Sequence, residues 1–524
     1  MSAEVKKWFK KNTLPLLSLV FLTFIVYLNT LKNGLVADDI PGILNNPQLT
    51  NSQIILSNPL FFIQPLFYFI LIRLFDLNPF VLHLHNVVFH VLTVVMVYLV
   101  ISVYSNKKTA FFAAALFAVH PLLSEPVAWI SGGNYVKGTF FALISLFFYF
   151  QYSKKSRFEL FISSIFFYLL ALASTTQAVV LPLIILFYEF MFGAIAKKAI
   201  AFSTYFLLAF VYIMLYFNAI PKRLAELNSI YEPVSRFYNP LVQIPHAIGT
   251  YLSLFVFPYN LTLNYSAFIP LSNRIFDYIF LIIFIMTLVY TGLKHRSVFF
   301  FLVFFVISLF PTLLPLRIAS IVAERYAYFG AIGLMFAVGY LVTKLERTGT
   351  IIFLVVILLF SSRTILRNHD WKDQTTLWTK TVQTSPYSFA SHYNLAGVYI
   401  EKGNYEKAVD ELKKVLELAP NFAEGYVQLG TSYRKLGMID EAVRSYQVSI
   451  KIKPDSWIPY QNLAALFFQK QQFKDAEQMT LIAIQLHPNS PILYKNLGMI
   501  YEALGDKDKS EAAYDKANAL SGGN

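Results

Sequence analysis

Between Leu14 and Leu366 the chain is built from apolar runs about as long as a bilayer is thick, with charges sparse and clustered between them. A run of about 20 apolar residues crosses the hydrocarbon core as a helix, because only a helix satisfies its own backbone there. Eleven such runs can be traced, near 14–31, 80–104, 109–121, 137–152, 158–174, 177–193, 199–218, 275–293, 298–316, 325–343 and 350–366. The third and fourth are short, so their ends are expected to reach into the flanking polar stretch. Hydrophobic residues make up 56% of the chain and charged ones 14%, against about 25% in soluble domains. The formal charge of +13 would suit nucleic acid if it were spread over a surface. Instead much of it sits in short Lys/Arg clusters between apolar runs, where it sets topology.

Those clusters lie before the first run, at Lys107-Lys108, at Lys154-Lys155-Arg157, at Lys197-Lys198, at Lys294-His295-Arg296 and at Lys344-Arg347. Counted through eleven crossings they all fall on one side. The positive-inside rule makes that side cytoplasmic, with the N-terminus inside and whatever follows Leu366 outside. Lys6, Lys7, Lys10 and Lys11 imitate a signal peptide, but no small-residue cleavage site follows Leu31, so the first run is read as a retained helix. Residues 241–257 are apolar, yet a crossing there would break the charge pattern, and a re-entrant or surface helix is expected. The segment 40–79, interrupted by Pro41, Pro47, Pro59 and Pro65, reads as an amphipathic excursion on the outer face. With no Cys in the chain, disulfides, thiol catalysis and zinc–thiolate sites are excluded. No Cys and short loops favour a prokaryotic cytoplasmic membrane.

From Asn368 onward charged residues recur every few positions, and a repeat appears. Pro386, Pro420, Pro454 and Pro488 are spaced by 34, the period of the tetratricopeptide (TPR) helix–turn–helix unit. Leu395, Leu429, Leu463 and Leu497 keep the same register, as do Tyr399, Tyr433, Phe467 and Tyr501. Ala408, Ala442 and Ala476 recur with Ser510 closing the series, and Gly403, Gly437 and Gly505 mark the inter-helix turn, where Gln471 is the exception. The expected architecture is therefore all-α: a polytopic membrane domain (1–366), a linker (367–385) and a TPR solenoid of about four repeats (386–524). A TPR array offers a curved surface for a protein or peptide partner.

Three polar islands lie on the outer side of this topology. The first holds Asp38 and Asp39 directly after the first run; the second runs from His120 to Asn134 and includes Glu125; the third is Ala323-Glu324-Arg325-Tyr326. Paired carboxylates at a membrane surface are solvated, paired or useful. One can act as general base while its neighbour orients an acceptor or holds a divalent ion. An outward Arg325 can pair with a Glu or grip a lipid phosphate. His83, Asn86 and His90 share one helical face, a pattern of an inter-helix hydrogen-bonding seam more than of a metal site.

The Asp38-Asp39 loop with Asn45 and Asn46, the stretch His83–His90, the stretch His120–Gly132, the run Ala323–Tyr328 and the sequence Arg367-Asn368-His369-Asp370-Trp371 leading into TPRs occur in one order. Together they resemble the transmembrane-and-TPR O-mannosyltransferase family over nearly the whole chain. The resemblance implies a GT-C membrane glycosyltransferase that moves a sugar, mannose or another hexose, from a polyprenyl phosphate to a protein hydroxyl on the non-cytoplasmic side. It implies Asp38 as general base with Asp39 beside it, Arg325 neutralising the donor phosphate, and Lys137 as a second candidate for that task. Glu125, His120, Asn134 and Glu324 would line the substrate site; a metal requirement is left undetermined, and a divalent cation stays open. No nucleic acid is implied. The chain departs from the family pattern at Gly133, where an Arg is common, and at Thr175-Thr176, where Lys-Glu is common. Two other readings therefore stay open: a catalytically degenerate, membrane-anchored TPR scaffold, and an envelope polysaccharide polymerase or ligase.

Overall fold

A computed structural model describes residues 3–51, 60–193, 195–231, 240–265, 275–313 and 321–521, with side chains omitted for 3–11, Gln48, Thr50, 195–197 and 219–231. The basic cluster at Lys6 to Lys11, Lys197, Pro59 and the last three residues of the expected run 298–316 fall outside that description. The chain divides into two compact units, 1–380 and 381–524. Among the described residues all regular structure is helical.

The first unit contains α1 (Ala3–Tyr27), α2 (Ile63–Phe75), α3 (Pro79–Ser102), α4 (Lys107–Val119), α5 (Gly133–Lys155), α6 (Phe158–Leu172), α7 (Leu181–Phe192), α8 (Ile195–Tyr231), α9 (Pro240–Val256), α10 (Ile275–Lys294), α11 (Arg296–Leu313), α12 (Glu324–Lys344) and α13 (Glu346–His369), and α14 (Gln374–Thr384) runs across its end at Lys380. Local chemistry sets several of their starts. Asn78 caps α3 by accepting from the Phe80 amide, with Pro79 at the first helical position. Asn106 caps α4 through the Thr109 amide.

The expected count of eleven spans is not confirmed. Seven helical stretches among the described residues are long and apolar enough to cross: Asn12–Lys32, Pro79–Ser102, Lys198–Asn218, Ile275–Lys294, Arg296–Leu313, Glu324–Lys344 and Glu346–His369. An eighth is gained if Lys107–Val119 and Pro121–Ala128, bent by 62° at His120, form one broken span. The shortfall has physical causes. Phe158–Leu172 has 15 residues, which at 1.5 Å each gives about 22 Å of helix against a hydrocarbon core of about 30 Å. Thr176–Phe192 is likewise short. α5 is long enough, but Asn134, Lys137, Gln151, Lys154 and Lys155 dilute its apolar run.

α12 is the central helix, with 72% of its apolar window buried, whereas the windows of α10 and α13 are 11% and 17% buried. The exposed Ile351, Leu354, Leu358 and Leu366 of α13 present an apolar face that water would not tolerate and lipid does. Glycines let α12 approach its neighbours: a Cβ at Gly333 would collide with the Phe301 carbonyl of α11, and one at Gly339 with the backbone of α4. The stretch 241–257 is mostly helix α9, which contains Pro245 and is absent from the helices able to cross. It is packed into the bundle, with Thr250 and Ser253 donating to Asp277 of α10 at 2.9 and 2.6 Å. Within 40–79 the chain makes two short turns and α2, whose Ile63 and Tyr68 are buried while Leu74 and Phe75 are exposed.

The second unit is four helix pairs: α15 (Phe389–Glu401) with α16 (Tyr405–Leu418), α17 (Ala423–Lys435) with α18 (Ile439–Ile452), α19 (Trp457–Gln469) with α20 (Phe473–Leu486), and α21 (Pro491–Leu504) with α22 (Lys507–Ser521). The repeat positions behave as the spacing requires. Ala408, Ala442 and Ala476 are fully buried where paired helices cross, and Leu395, Leu429, Leu463 and Leu497 fill the core. The turn glycines adopt left-handed φ of +73, +77 and +82°, and Gln471 is held at +60° in the third repeat. That conformation costs a side chain about 1–2 kcal/mol.

Candidate active site

The first unit gathers its polar side chains where the ends of several helices meet. α1 passes into a 3-10 turn at Leu28–Lys32 and then a loop in which Ala37 takes a left-handed φ of +50°. A non-glycine residue there is strained, and such strain persists where surrounding contacts over-determine it. Those contacts are visible. The Ala37 amide donates to Gln374 Oε1 at 3.2 Å, the Gly34 amide to the Lys372 carbonyl at 2.9 Å, and Asn33 Nδ2 to the Asn368 carbonyl at 3.0 Å.

This clamped loop separates the two aspartates. Asp39 is fully buried; its Oδ1 accepts from the Ser131 amide (2.8 Å) and hydroxyl, and its Oδ2 from the Val36 amide at 3.1 Å. Burial pushes its carboxyl up to about 6, although these hydrogen bonds pull the other way. Asp38 is exposed. Asp39 is thus committed to joining the first loop to the Glu125–Ser131 segment, and Asp38 is the carboxylate that an arriving group can reach.

The second island folds as a corner followed by one helical turn, Glu125–Ala128. Glu125 is fully buried and grips Arg325 of α12 twice: Oε1 accepts from Nη1 at 2.5 Å and Oε2 from the backbone amide at 3.2 Å. The Arg325 guanidinium, 18% exposed, lies 5.6 Å from the Trp129 ring and 5.0 Å from the Tyr326 ring. Its neighbour Glu324 turns elsewhere, accepting at Oε1 from Arg367 Nη2 at 2.9 Å and from the Tyr265 hydroxyl at 3.2 Å. Arg367 also donates to Asp370 at 3.0 Å and stands 5.7 Å from the Trp371 ring, which stacks on Trp129 at 6.0 Å. Two buried Arg–Glu pairs are therefore joined through a Trp–Trp stack. The indole nitrogens of Trp129 and Trp371 and the Nε of Arg367 are buried without a protein partner. Three orphaned donors in one place suit a guest with acceptor oxygens.

The remaining candidates divide. Lys137 is buried on α5, donating to Asn86 Oδ1 and the Gly133 carbonyl, both at 3.2 Å, with the Phe89 ring 5.5 Å away. Among the described residues no carboxylate forms an ion pair with it. Asn134 opens the same helix, half-buried, with its Oδ1 accepting from the Tyr135 amide at 2.9 Å. His120 spends both ring nitrogens on the backbone. Its Nε2 bonds the Phe255 carbonyl at 2.9 Å and its Nδ1 accepts from the Leu122 amide at 3.2 Å, so the ring pins the bend at the end of α4. His83, Asn86 and His90 form the seam: His83 meets the Gly34 carbonyl at 3.3 Å, Asn86 donates to the carbonyls of Trp129 and Ile130, and His90 bonds the Tyr328 hydroxyl at 2.6 Å.

No group of three or more His, Asp or Glu side chains able to hold a metal occurs among the described residues. The two departures from the family pattern are packed, not open. A Cβ at Gly133 would run into the Asn86 carboxamide, and one at Gly138 into Thr175. Sequence reasoning missed Arg367, Asp370, Trp371 and Ser131 as site residues. Arg367 to Trp371, expected to begin a linker, is instead part of the first unit, with Arg367, Asn368 and Trp371 all buried. The available signal was the arginine ending an apolar run.

Fold and site define a multi-pass helical membrane protein carrying a C-terminal TPR solenoid. The TPR repeat family matches residues 396–437, and the tetratricopeptide repeat family matches 423–456 and 493–524. Protein O-mannosyl-transferase TMTC1 of Homo sapiens is 32% identical over 148 residues, covering 26% of this chain and 17% of that protein. A protein O-mannosyl-transferase of Caenorhabditis elegans is 23% identical over 444 residues, covering 78% of this chain and 63% of that protein. The chain thus spans less than two thirds of the length of the curated relatives it matches. The crystal structure of MamA is matched at a TM-score of 0.27 and 22% identity, over 28% of this chain and 84% of that one. In sequence this chain is similar to proteins named protein O-mannosyl-transferases, the family its motifs resemble.

Proposed function

We propose that the chain is a membrane glycosyltransferase that transfers a sugar from a polyprenyl-phosphate donor to the hydroxyl of a protein acceptor. The observation that carries this reading is a partly exposed guanidinium, Arg325, fixed by the buried Glu125, whose segment ends at Ser131 on Asp39, the neighbour of the exposed Asp38. In the transfer, the acceptor oxygen bonds to the anomeric carbon as the bond from that carbon to the phosphate oxygen breaks. The acceptor proton passes to Asp38, and the polyprenyl phosphate leaves with one more negative charge. Arg325 stabilises that growing charge, and its pairing with Glu125 holds the planar fork in place before the reaction begins. Asp39 is a positioning residue: through Ser131 it keeps the Asp38 loop against the turn that presents Glu125.

The site residues lie at helix ends opposite the Lys/Arg clusters. His83 is near the start of α3 and Lys107 follows its end, while Arg325 starts α12 and Lys344 ends it. If the basic ends are cytoplasmic, the positive-inside rule favours the non-cytoplasmic side for the site residues. The repeats would present or select the acceptor. Transfer of radiolabelled sugar from a panel of polyprenyl-phosphate sugars to cell protein tests the proposal, with wild type run beside Asp38→Asn. Label on protein with wild type alone supports it. No label from folded protein favours the TPR scaffold, and label found only on glycan favours a polysaccharide polymerase or ligase.

A further inference from the structure

We propose that the opposite end of the first unit holds a binding site for the phosphodiester headgroup of an anionic phospholipid. A cavity of about 590 Å³ opens there, lined among others by Tyr104, Ser153, Lys154, Tyr188, Glu189 and Lys198. It lies far from Asp38 and Arg325. From His83 to Val103 the chain runs 20 residues of α3 and its cap, about 30 Å at 1.5 Å per residue, so cavity and candidate active site sit at opposite membrane faces.

Three observations point to the ligand. The first is charge. Among the described lining residues Lys154 and Lys198 are cationic and the buried Glu189 is anionic, an excess of positive charge that suits an anionic phosphodiester. The second is donor capacity. Lys154 donates to the Val103 carbonyl at 3.2 Å and Lys198 to the Ser156 hydroxyl at 2.9 Å; neither ammonium pairs with a carboxylate among the described residues, and each has three N–H groups to give. Ser153 donates to Glu189 Oε1 at 2.8 Å, which directs that carboxylate to the cavity wall. The third is the surroundings. Phe190 and Ile200, one residue after Glu189 and two after Lys198 in the chain, are 68% and 86% exposed, apolar surface suited to acyl chains. A rigid aromatic wall backs the lysines, with Tyr104 and Tyr188 ring centroids 5.5 Å apart and the Lys154 ammonium 5.6 Å from the Tyr104 ring.

A basic pocket between helices, set at headgroup depth and flanked by lipid-facing residues, recognises phosphate through its lysines and the lipid through its rim. It uses none of the residues assigned to transfer, so its failure would leave the proposed function standing, and the reverse also holds.

The test uses purified full-length chain in nanodiscs of phosphatidylglycerol or phosphatidylcholine. Bound lipid is counted by native mass spectrometry after delipidation, and binding is followed by thermal stabilisation. Wild type is expected to retain phosphatidylglycerol selectively. Lys154→Gln/Lys198→Gln should bind it about thirtyfold more weakly, from a contribution of about 1 kcal/mol per lysine near a membrane surface. Lys154→Arg/Lys198→Arg should keep most of the selectivity, and Lys344→Gln, a basic residue ending α12, should behave as wild type. Equal retention of both lipids by wild type, or undiminished retention by the double glutamine variant, overturns the proposal. Glycerol 3-phosphate or inorganic phosphate stabilising the chain as strongly as phosphatidylglycerol overturns the lipid source.

Discussion

Removing Arg325 should expose two separable roles of one side chain. Glu125 is fully buried and its Oε1 accepts from the Arg325 guanidinium at 2.5 Å; after Arg325→Met its remaining contact to residue 325 is the backbone amide at 3.2 Å. Leaving a buried carboxylate without its partner costs about 3–5 kcal/mol, and because Arg325 is 18% exposed the lower end applies, about 3 kcal/mol. That is roughly a 150-fold change in the folding equilibrium, readable as a clear fall in the thermal midpoint of the detergent-solubilised chain. Glu125→Gln/Arg325→Met removes the stranded charge, so most of the lost stability should return. Activity should not return with it. The growing charge on the leaving phosphate still lacks its guanidinium, and loss of one preorganised group of this kind lowers turnover about 10²–10³-fold. The readouts are thermal unfolding and transfer from a radiolabelled polyprenyl-phosphate sugar, measured on the same preparations. A double variant that transfers at the wild-type rate would refute the role given to Arg325, and a single variant as stable as wild type would refute the buried pair.

Other outcomes follow from the same structure. Gly133→Ala should destabilise the first unit by about 1–3 kcal/mol, because the new methyl meets an Asn86 carboxamide held by Trp129, Ile130 and Lys137; unchanged thermal unfolding would contradict that packing. Gln471→Gly should stabilise the repeat unit by about 1 kcal/mol by relieving a φ of +60°, and a fall in its unfolding midpoint would argue against the turn assignment. Burial raises the Asp39 carboxyl from 3.8 to about 6, so the fold prefers its protonated form. That contribution is complete below about pH 4 and lost as pH rises through 6, giving a declining midpoint that Asp39→Asn should flatten. In the repeats, Leu412→Ala removes a fully buried side chain and should cost about 2–4 kcal/mol by chemical denaturation.

How much of this was legible beforehand differs by region. The TPR register was complete in the sequence, since a 34-residue period needs only local helix pairs and nearest-neighbour packing, and even the odd turn at Gln471 was visible. Apolar runs were legible as helices, but their number of crossings was not. A hydropathy run does not show that the chain turns by 62° between α4 and Pro121–Ala128, or that 158–172 stops short of the bilayer thickness.

The candidate site was legible as three islands and not as an arrangement. Asp38 and Asp39 are chemically alike and adjacent, and only Ser131, 92 positions away, decides that one is buried and committed while the other is exposed. His120 looked like a site residue until the Phe255 carbonyl claimed it, and Arg367 looked like the start of a linker until Glu324 claimed it. The sequence by itself determined what repeats locally: apolar length, charge placement and the 34-residue period, each set by neighbours a few residues away. The tertiary structure alone decided which buried charge meets which partner, because a charge in a low-dielectric interior persists only beside its counter-charge, and that counter-charge comes from a distant part of the chain.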